Sequence, residues 1–395
     1  MVTSAVWIAG GLLFRVLDER NPAHVPTGGW PGVTLLIPAH NEEQVIAGCV
    51  VAARAVDYPL LEVLVLDDGS SDATVDVATT AAAGDERVVV VRDPVNRGKA
   101  DRLNLGFAHA QHDLVAVTDA DTHVHPMALR LLVARLTASP RIAAVAGGPH
   151  VTNRTNLLCA MQIIEAASII GLIRRTQALT GRVGVVAGVL GLFRRDAVQA
   201  VGGYRGEMAT EDIDLSWRLL LAGWLTSYEP AALVGMQVPA RLPALWAQRR
   251  RWARGQGEVL RVHFQQVLHP RHWEMWPLAF EALASLVWIL CLTAFVVLQV
   301  IHLLGYAAGI RASWPGLGIA WGVAVAVVAT VQLLFALRIT FPHDRRAPLA
   351  FLLGPIYPVA YWLLSAVAAV RAEVPAILRG PAEARVVWDI PRERV

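Results

Sequence analysis

The chain has 395 residues, of which 55% are hydrophobic and 17% charged, with a formal net charge of +3. A charged fraction so far below the roughly 25% of soluble chains argues against an ordinary soluble protein, and the small positive balance does not make a nucleic-acid binder. The three cysteines, Cys49, Cys159 and Cys291, are scattered and form no CxxC or Cys/His ligand spacing, so neither a disulfide framework nor a zinc site is expected, and a reducing compartment fits.

The first apolar run, "VTSAVWIAGGLLF", precedes Arg15 and has no small-residue cleavage site. It reads as a membrane helix over residues 1–17 rather than a removed signal. From Gly32 the pattern changes: "VTLLIPAH", "LEVLVLDDGSSD", "RVVVVRD" and "DLVAVTDAD" are short apolar strands, with helical stretches such as "EEQVIAGCVVAARAV" and "NRGKADRLNLGFAHA" between them. Strand–helix alternation predicts a Rossmann-like α/β domain with a mostly parallel sheet, over residues 18–276. Ligands of such sheets bind beyond the carboxyl ends of the strands, and those ends carry "PAHNEE", "DDGSSD" and "DADTH".

Each polar cluster has its chemistry and its plainer alternative. Asp67 and Asp68 precede Gly69 in a tight turn, where an acceptor-only carboxylate suits the N3–H of a uracil and where Asp-Gly also suits any turn. Lys99 follows Gly98 at a helix start, so its ammonium and the unbonded backbone N–H groups there suit a phosphate. The spacing is not that of a P-loop, which disfavours ATP hydrolysis. Asp119 and Asp121 are two apart at a strand end and so are able to face one cation, Mg²⁺ or Mn²⁺, holding a diphosphate. His123 and His125 nearby are either further ligands or ordinary surface histidines. Thr210, Glu211 and Asp212 open an amphipathic helix, as a cap with acidic first-turn residues or as the place of a general base.

"LWAQRRRWARGQGEV" follows, with Arg249, Arg250, Arg251 and Arg254 around Trp252. Beyond it, about Leu278–Tyr306, Leu317–Ile339 and Leu349–Val370 are each long enough to cross a bilayer, which takes about 20 apolar residues. Glu281 and Pro355 interrupt them where a bend or an interfacial end is tolerable. The expected layout is therefore spans within 277–371 and a tail over 372–395. Arg15, Arg20 and the loop "RITFPHDRRAP" put the polar domain in the cytoplasm of a multi-pass inner or plasma-membrane protein. With an odd number of C-terminal spans, the tail after Val370 falls outside.

Taken in order, "PAHNEE", "DDGSSD", "NRGKA", "DAD", "TED" and "QRRRW" resemble the membrane-embedded processive family 2 glycosyltransferases, the synthases of cellulose, chitin, hyaluronan and poly-N-acetylglucosamine. Longer segments, "SIIGLIRRTQALTGRV", "TEDIDLSWRL", "YEPAAL" and "MWPLAFE", are most similar to the bacterial poly-β-1,6-N-acetylglucosamine synthases. The similarity runs from about Val6 into the first C-terminal span and weakens afterwards. Compared with that pattern, the sequence starts at what corresponds to the second N-terminal membrane helix.

The resemblance implies a GT-A fold, a UDP-sugar donor and a growing glycan acceptor. It also implies a divalent metal at Asp119 and Asp121, and Asp212 as base. Ala39, Asp68 and Lys99 would contact the donor. Gln248, Arg251 and Trp252 would form the QxxRW element, Arg251 on the diphosphate and Trp252 against the acceptor sugar. A guanidinium stabilises the leaving diphosphate, whereas Arg249 and Arg250 are equally suited to lipid phosphates or ion pairs. A single base and a single leaving group suffice for one displacement with inversion. The expectation is polymerisation of N-acetylglucosamine into a β-linked exopolysaccharide of the biofilm matrix. A small membrane accessory subunit is implied as partner, and no nucleic acid. The motifs leave the donor sugar and linkage open among chitin-, cellulose- and hyaluronan-like chains, and leave a non-processive transferase to a lipid as a rival.

Overall fold

The computed structural model describes residues 2–19, 25–26, 28–307, 317–340, 342, 353 and 357–381. Eight strands form one sheet: β1 (Val33–Ala39), β2 (Leu61–Asp67), β3 (Val88–Val91), β4 (Leu114–Val117), β5 (Thr122–Val124), β6 (Ile142–Val151), β7 (Gly191–Arg194) and β8 (Leu225–Met236). Their spatial order is β3-β2-β1-β4-β7-β6-β8-β5. Neighbours β3, β2, β1 and β4 are all parallel. β7 runs antiparallel to both β4 and β6, and β6 is parallel to β8. The expected strand–helix alternation and the α/β class are thus observed.

The sheet is buried on both faces because its strands alternate with period two. Val33, Leu35 and Ile37 of β1, Val63 and Val65 of β2, and Leu114 and Ala116 of β4 pack into one core with helices α2 (Ile46–Arg54), α3 (Thr74–Ala82) and α5 (Ala128–Thr137). Leu36, Leu64, Leu66, Val115 and Val117 point the other way, onto helix α4 (Lys99–His109). Each such fully buried branched side chain contributes about 1.5–3 kcal/mol. The same register aligns the strand ends, since Ala39 lies opposite Asp67. The acidic loops therefore emerge together. Because β7 runs the opposite way, the segment entering Gly191 arrives at this same edge, opposite Val117.

A second layer lies on one side of this domain. Helix α1 (Val2–Phe14) continues as a π-helical turn to Glu19, and ion pairs Asp18–Arg135 at 2.9 Å and Glu19–Arg175 at 2.5 Å fasten its end to the α/β domain. Helix α6 (Leu157–Glu165) runs on through a π-helical stretch (Ala166–Ile173) into α7 (Arg174–Ala178). Residues Leu157–Ala178 together are long and apolar enough to cross a membrane, yet half of this stretch is buried in the protein. The sequence reading had this segment inside the polar domain. Its buried face meets Leu333, Leu337 and Ile339 of a helix in the apolar third of the chain.

Helices α8 (Arg195–Ala200) and α9 (Glu211–Leu221) cover the second sheet face, and α10 (Leu242–Leu268) lies across α9. Next come α11 (Trp276–Ala307) and α12 (Leu317–Thr340), at the expected positions. Then α13 (Tyr357–Ala368) passes through a π-helical turn into α14 (Val374–Arg379). By length and composition, Pro270–Gly305, Gly322–Thr340 and Tyr361–Arg379 qualify as membrane spans. Glu281, an interruption in the first of these, accepts a hydrogen bond from Gln177 at 3.0 Å.

The last helix runs past Val370, where the last span is expected to end. The last helix is continuous to Arg379 and runs alongside α10: Tyr361 lies at Arg249, Glu373 at Gly257, and Gly380 at Arg261. Since α10 is itself packed on the α/β domain, both ends of this helix lie beside that domain. The "HDRRAP" loop, Arg20 and the last residues of the tail lie outside the described residues. A cysteine at the exposed Arg379, in a Cys291→Ser background, is expected to react with an impermeant maleimide only after cells are permeabilised. Labelling of intact cells would restore the external tail.

Candidate active site

Ala39, the expected donor contact, has its side chain fully buried in the core, and its carbonyl accepts the Asp68 N–H at 2.9 Å. Asp68 is also fully buried. Its carboxylate accepts the backbone N–H groups of Arg97 and Gly98, both at 2.8 Å, and faces Arg102 Nε at 3.1 Å. What the geometry gives Asp68 is the loop that presents Lys99. Gly69 makes this possible: its φ is +70°, and a Cβ there would stand 2.7 Å from the Asn96 nitrogen. Asp67 accepts the Ser70 N–H at 3.3 Å and closes the turn.

Lys99 Nζ bonds Asp119 Oδ1 at 2.5 Å and lies 3.5 Å from Glu211. Burial alone would lower its pKa, but Asp119, Glu211 and Asp212 outweigh burial and hold it above the ordinary lysine range. The Asp119 carbonyl accepts from Thr122 Oγ1 at 2.7 Å and from Cys49 Sγ at 3.5 Å. The Cys49 thiol is pushed well up, first by burial and then by Asp121 and Asp119, so both carboxylates press on one point. His123 and His125 are exposed, and His125 accepts the Met127 N–H at 3.3 Å.

Asp212, half-buried in the first turn of α9, is raised to about 6 by burial and by Glu211 beside it; Lys99 and Arg251 pull the other way. Four motifs distant in sequence are thereby joined electrostatically. Around them, Asp119, Asp121, Glu211 and Asp212 outnumber Lys99, Arg251 and Arg174 by one charge. No cluster of three His, Cys, Asp or Glu forms a ready-made metal cage among the described residues. Mg²⁺ and Mn²⁺ do not require one, since one or two carboxylates plus substrate phosphates hold them. The hard oxygen pair Asp119/Asp121 and the local excess of negative charge fit such an ion.

Within α10 the three arginines part ways. Arg249 is buried and forms a bidentate pair with Glu165 of α6 at 2.6 and 2.5 Å, its guanidinium 4.4 Å from the Trp252 ring centre. Arg250 is exposed, and Arg251 is the one that acts on Asp212. Trp252 keeps 41% of its surface exposed, and the side-chain oxygen of Gln248 is buried with no protein partner.

Three contributors escaped the motif reading. A Cβ on Gly188 would stand 2.8 Å from Lys99 Nζ, so a larger residue there would push the lysine tip within the Lys99–Asp119 pair. Gly255 lies directly against the Thr210 hydroxyl, where any side chain would collide. Glu258, fully buried, accepts the Ala209 N–H at 2.8 Å and Arg254 Nε at 2.6 Å. Together they seat α10 on the "ATED" turn. Six residues after Trp252, in "GQGEV", the sequence did carry the signal of an acid that had no reason to be in an apolar helix face.

Comparison with known proteins agrees with this fold. Residues 31–255 match the model of the family described as glycosyltransferase like family 2. Poly-beta-1,6-N-acetyl-D-glucosamine synthase of Staphylococcus aureus (strain COL) is 30% identical over 393 residues, covering 98% of this chain and 95% of the relative. The synthase of the same name from Staphylococcus epidermidis is 31% identical over 399 residues, with the same coverage. Among solved structures, a mannosyltransferase from Pyrobaculum calidifontis in complex with GDP-Man and Mn²⁺ shares the fold, with TM-score 0.56 and 22% identity over 93% of this chain and 98% of that one. With an acid-lined strand edge, a lysine–arginine pair facing it and a family match over more than half its length, the chain belongs to the family 2 glycosyltransferases.

Proposed function

We propose that this glycosyltransferase polymerises N-acetylglucosamine from UDP-N-acetylglucosamine into a β-linked chain at a membrane, with inversion at the anomeric carbon. The observation that carries the reading is Asp212, a carboxylate raised to about 6 at the strand edge, with Lys99 and Arg251 acting on it. A base so tuned is ionised at neutral pH and still basic enough to take a proton from an attacking hydroxyl. The curated relatives named as poly-beta-1,6-N-acetyl-D-glucosamine synthases support N-acetylglucosamine and the 1,6 linkage.

Asp212 removes the acceptor hydroxyl's proton as the bond from sugar to phosphate breaks, and the electron pair leaves with UDP. Lys99 and Arg251 hold the diphosphate, and Asp68 fixes the loop that presents Lys99. Trp252 offers the acceptor sugar a flat apolar face. Asp119 and Asp121 would hold Mg²⁺ or Mn²⁺, whose charge offsets that of the diphosphate. The apolar helices support a domain held at the membrane, and Arg15 at the end of the first helix favours its cytoplasmic face, beside the route by which the polymer leaves.

The test is a membrane assay with UDP-N-acetylglucosamine and Mg²⁺, followed by linkage analysis of the product. A β-1,6-linked polymer is expected; incorporation only from another UDP-sugar, or a single transfer to lipid, overturns the reading. Arg251→Ala is expected to raise the donor KM and lower kcat together, with kcat/KM falling roughly 10²–10³-fold, because the diphosphate meets it before and during bond breaking. Steady-state kinetics with varied donor checks this.

A further inference from the structure

We infer that Glu165 and Arg249 are positioning residues for the indole of Trp252, and that the pair sets how long a growing chain is retained. This rests on Trp252 being the acceptor platform. Arg249 is buried, and its guanidinium lies 4.4 Å from the Trp252 ring centre and 5.4 Å from that of Tyr361. Both of its terminal nitrogens are fixed by the Glu165 carboxylate, at 2.6 and 2.5 Å. The Tyr361 hydroxyl stands 3.4 Å from the same guanidinium, and the Tyr361 ring stacks on Tyr357 at 4.9 Å.

One charged plane, held by Glu165 of α6 and beside Tyr361 of α13, thus lies over the exposed indole of α10. The fork geometry matters: two parallel hydrogen bonds fix the orientation of the guanidinium, and that orientation fixes the tilt of the ring beneath it. A cation over a tryptophan face is among the stronger contacts available to an exposed ring. On the donor side, the α10 arginine that acts on Asp212 is Arg251. Disturbing the pair therefore weakens the hold on the acceptor and leaves the diphosphate contacts in place.

The experiment compares Glu165→Gln and Arg249→Lys with the parent enzyme in membranes, reading donor KM, UDP release per enzyme and mean product length. Glu165→Gln removes the charge of one partner, and Arg249→Lys keeps the charge but loses the fork. For both, donor KM and initial UDP release stay within about twofold, while mean product length falls roughly tenfold, the worth of one partly desolvated cation–π contact. In a Trp252→Ala background, Glu165→Gln then shortens the product no further. Additive shortening in that background, or a parallel loss of donor affinity, overturns the inference, since the pair would then act by general stability. The underlying reading fails separately, if Trp252→Ala alone leaves product length unchanged.

Discussion

Asp212→Asn is expected to lower turnover by roughly 10²–10⁴-fold, the usual worth of a positioned base, while donor affinity stays within a few-fold. The amide keeps the size of the side chain and most of its hydrogen bonds but cannot take the proton, so the loss falls on the transition state. The same substitution is expected to stabilise the fold. The Asp212 carboxyl is raised from 3.8 to about 6, so between those values the folded chain holds a proton that the unfolded chain releases. Its contribution to stability is complete below 3.8 and is lost as pH rises through about 6. At neutral pH the ionised group is therefore a cost, about 1 kcal/mol once partial solvation is allowed for. Asparagine removes that cost, and the melting temperature of the purified enzyme rises by about 1 °C. The wild-type kcat/KM profile loses activity below about 6 and the variant's residual activity does not follow it. A variant that polymerises at near-normal rate would reduce Asp212 to the first turn of its helix and make Glu211 the first candidate for the base.

Removing divalent cations is expected to abolish transfer, by at least roughly 10³-fold, with Mg²⁺ or Mn²⁺ restoring it. Asp119, Asp121, Glu211 and Asp212 already exceed Lys99, Arg251 and Arg174, and an incoming diphosphate adds further negative charge to the same edge. Without a divalent ion that assembly is repulsive at short range and in a partly dry site. Asp121→Asn is expected to lose most activity and, independently of turnover, the rise in melting temperature that Mg²⁺ with UDP gives the parent. Full activity in EDTA, or an unchanged thermal shift in Asp121→Asn, would remove the metal from Asp119 and Asp121.

Much of this site was legible in the chain because its parts are local. A strand that alternates and then ends in Asp-Asp-Gly, or in Asp-Ala-Asp, declares both its element and the edge at which its carboxylates stand. The same holds for Lys99 at a helix start and for Glu211 and Asp212 in a first turn, and it is why Leu317–Thr340 was bounded almost to the residue. Period and length determine these features without reference to the rest of the molecule.

Other features belong to the tertiary structure alone. That Asp68 turns inward to hold Arg97 and Gly98, rather than facing open solvent, depends on the approach of a loop some thirty residues away. That Arg249 answers Glu165 while Arg251 answers Asp212 follows from the helical turn of α10 between two partners, which three consecutive arginines do not reveal. The last helix has the apolar length of a span, and it is Gly257 and Arg261 of α10 that receive its end. Hydrophobic length is a property of a segment. Where that length is buried depends on the surface it meets, and this surface is assembled only when α9, α10 and the sheet have packed.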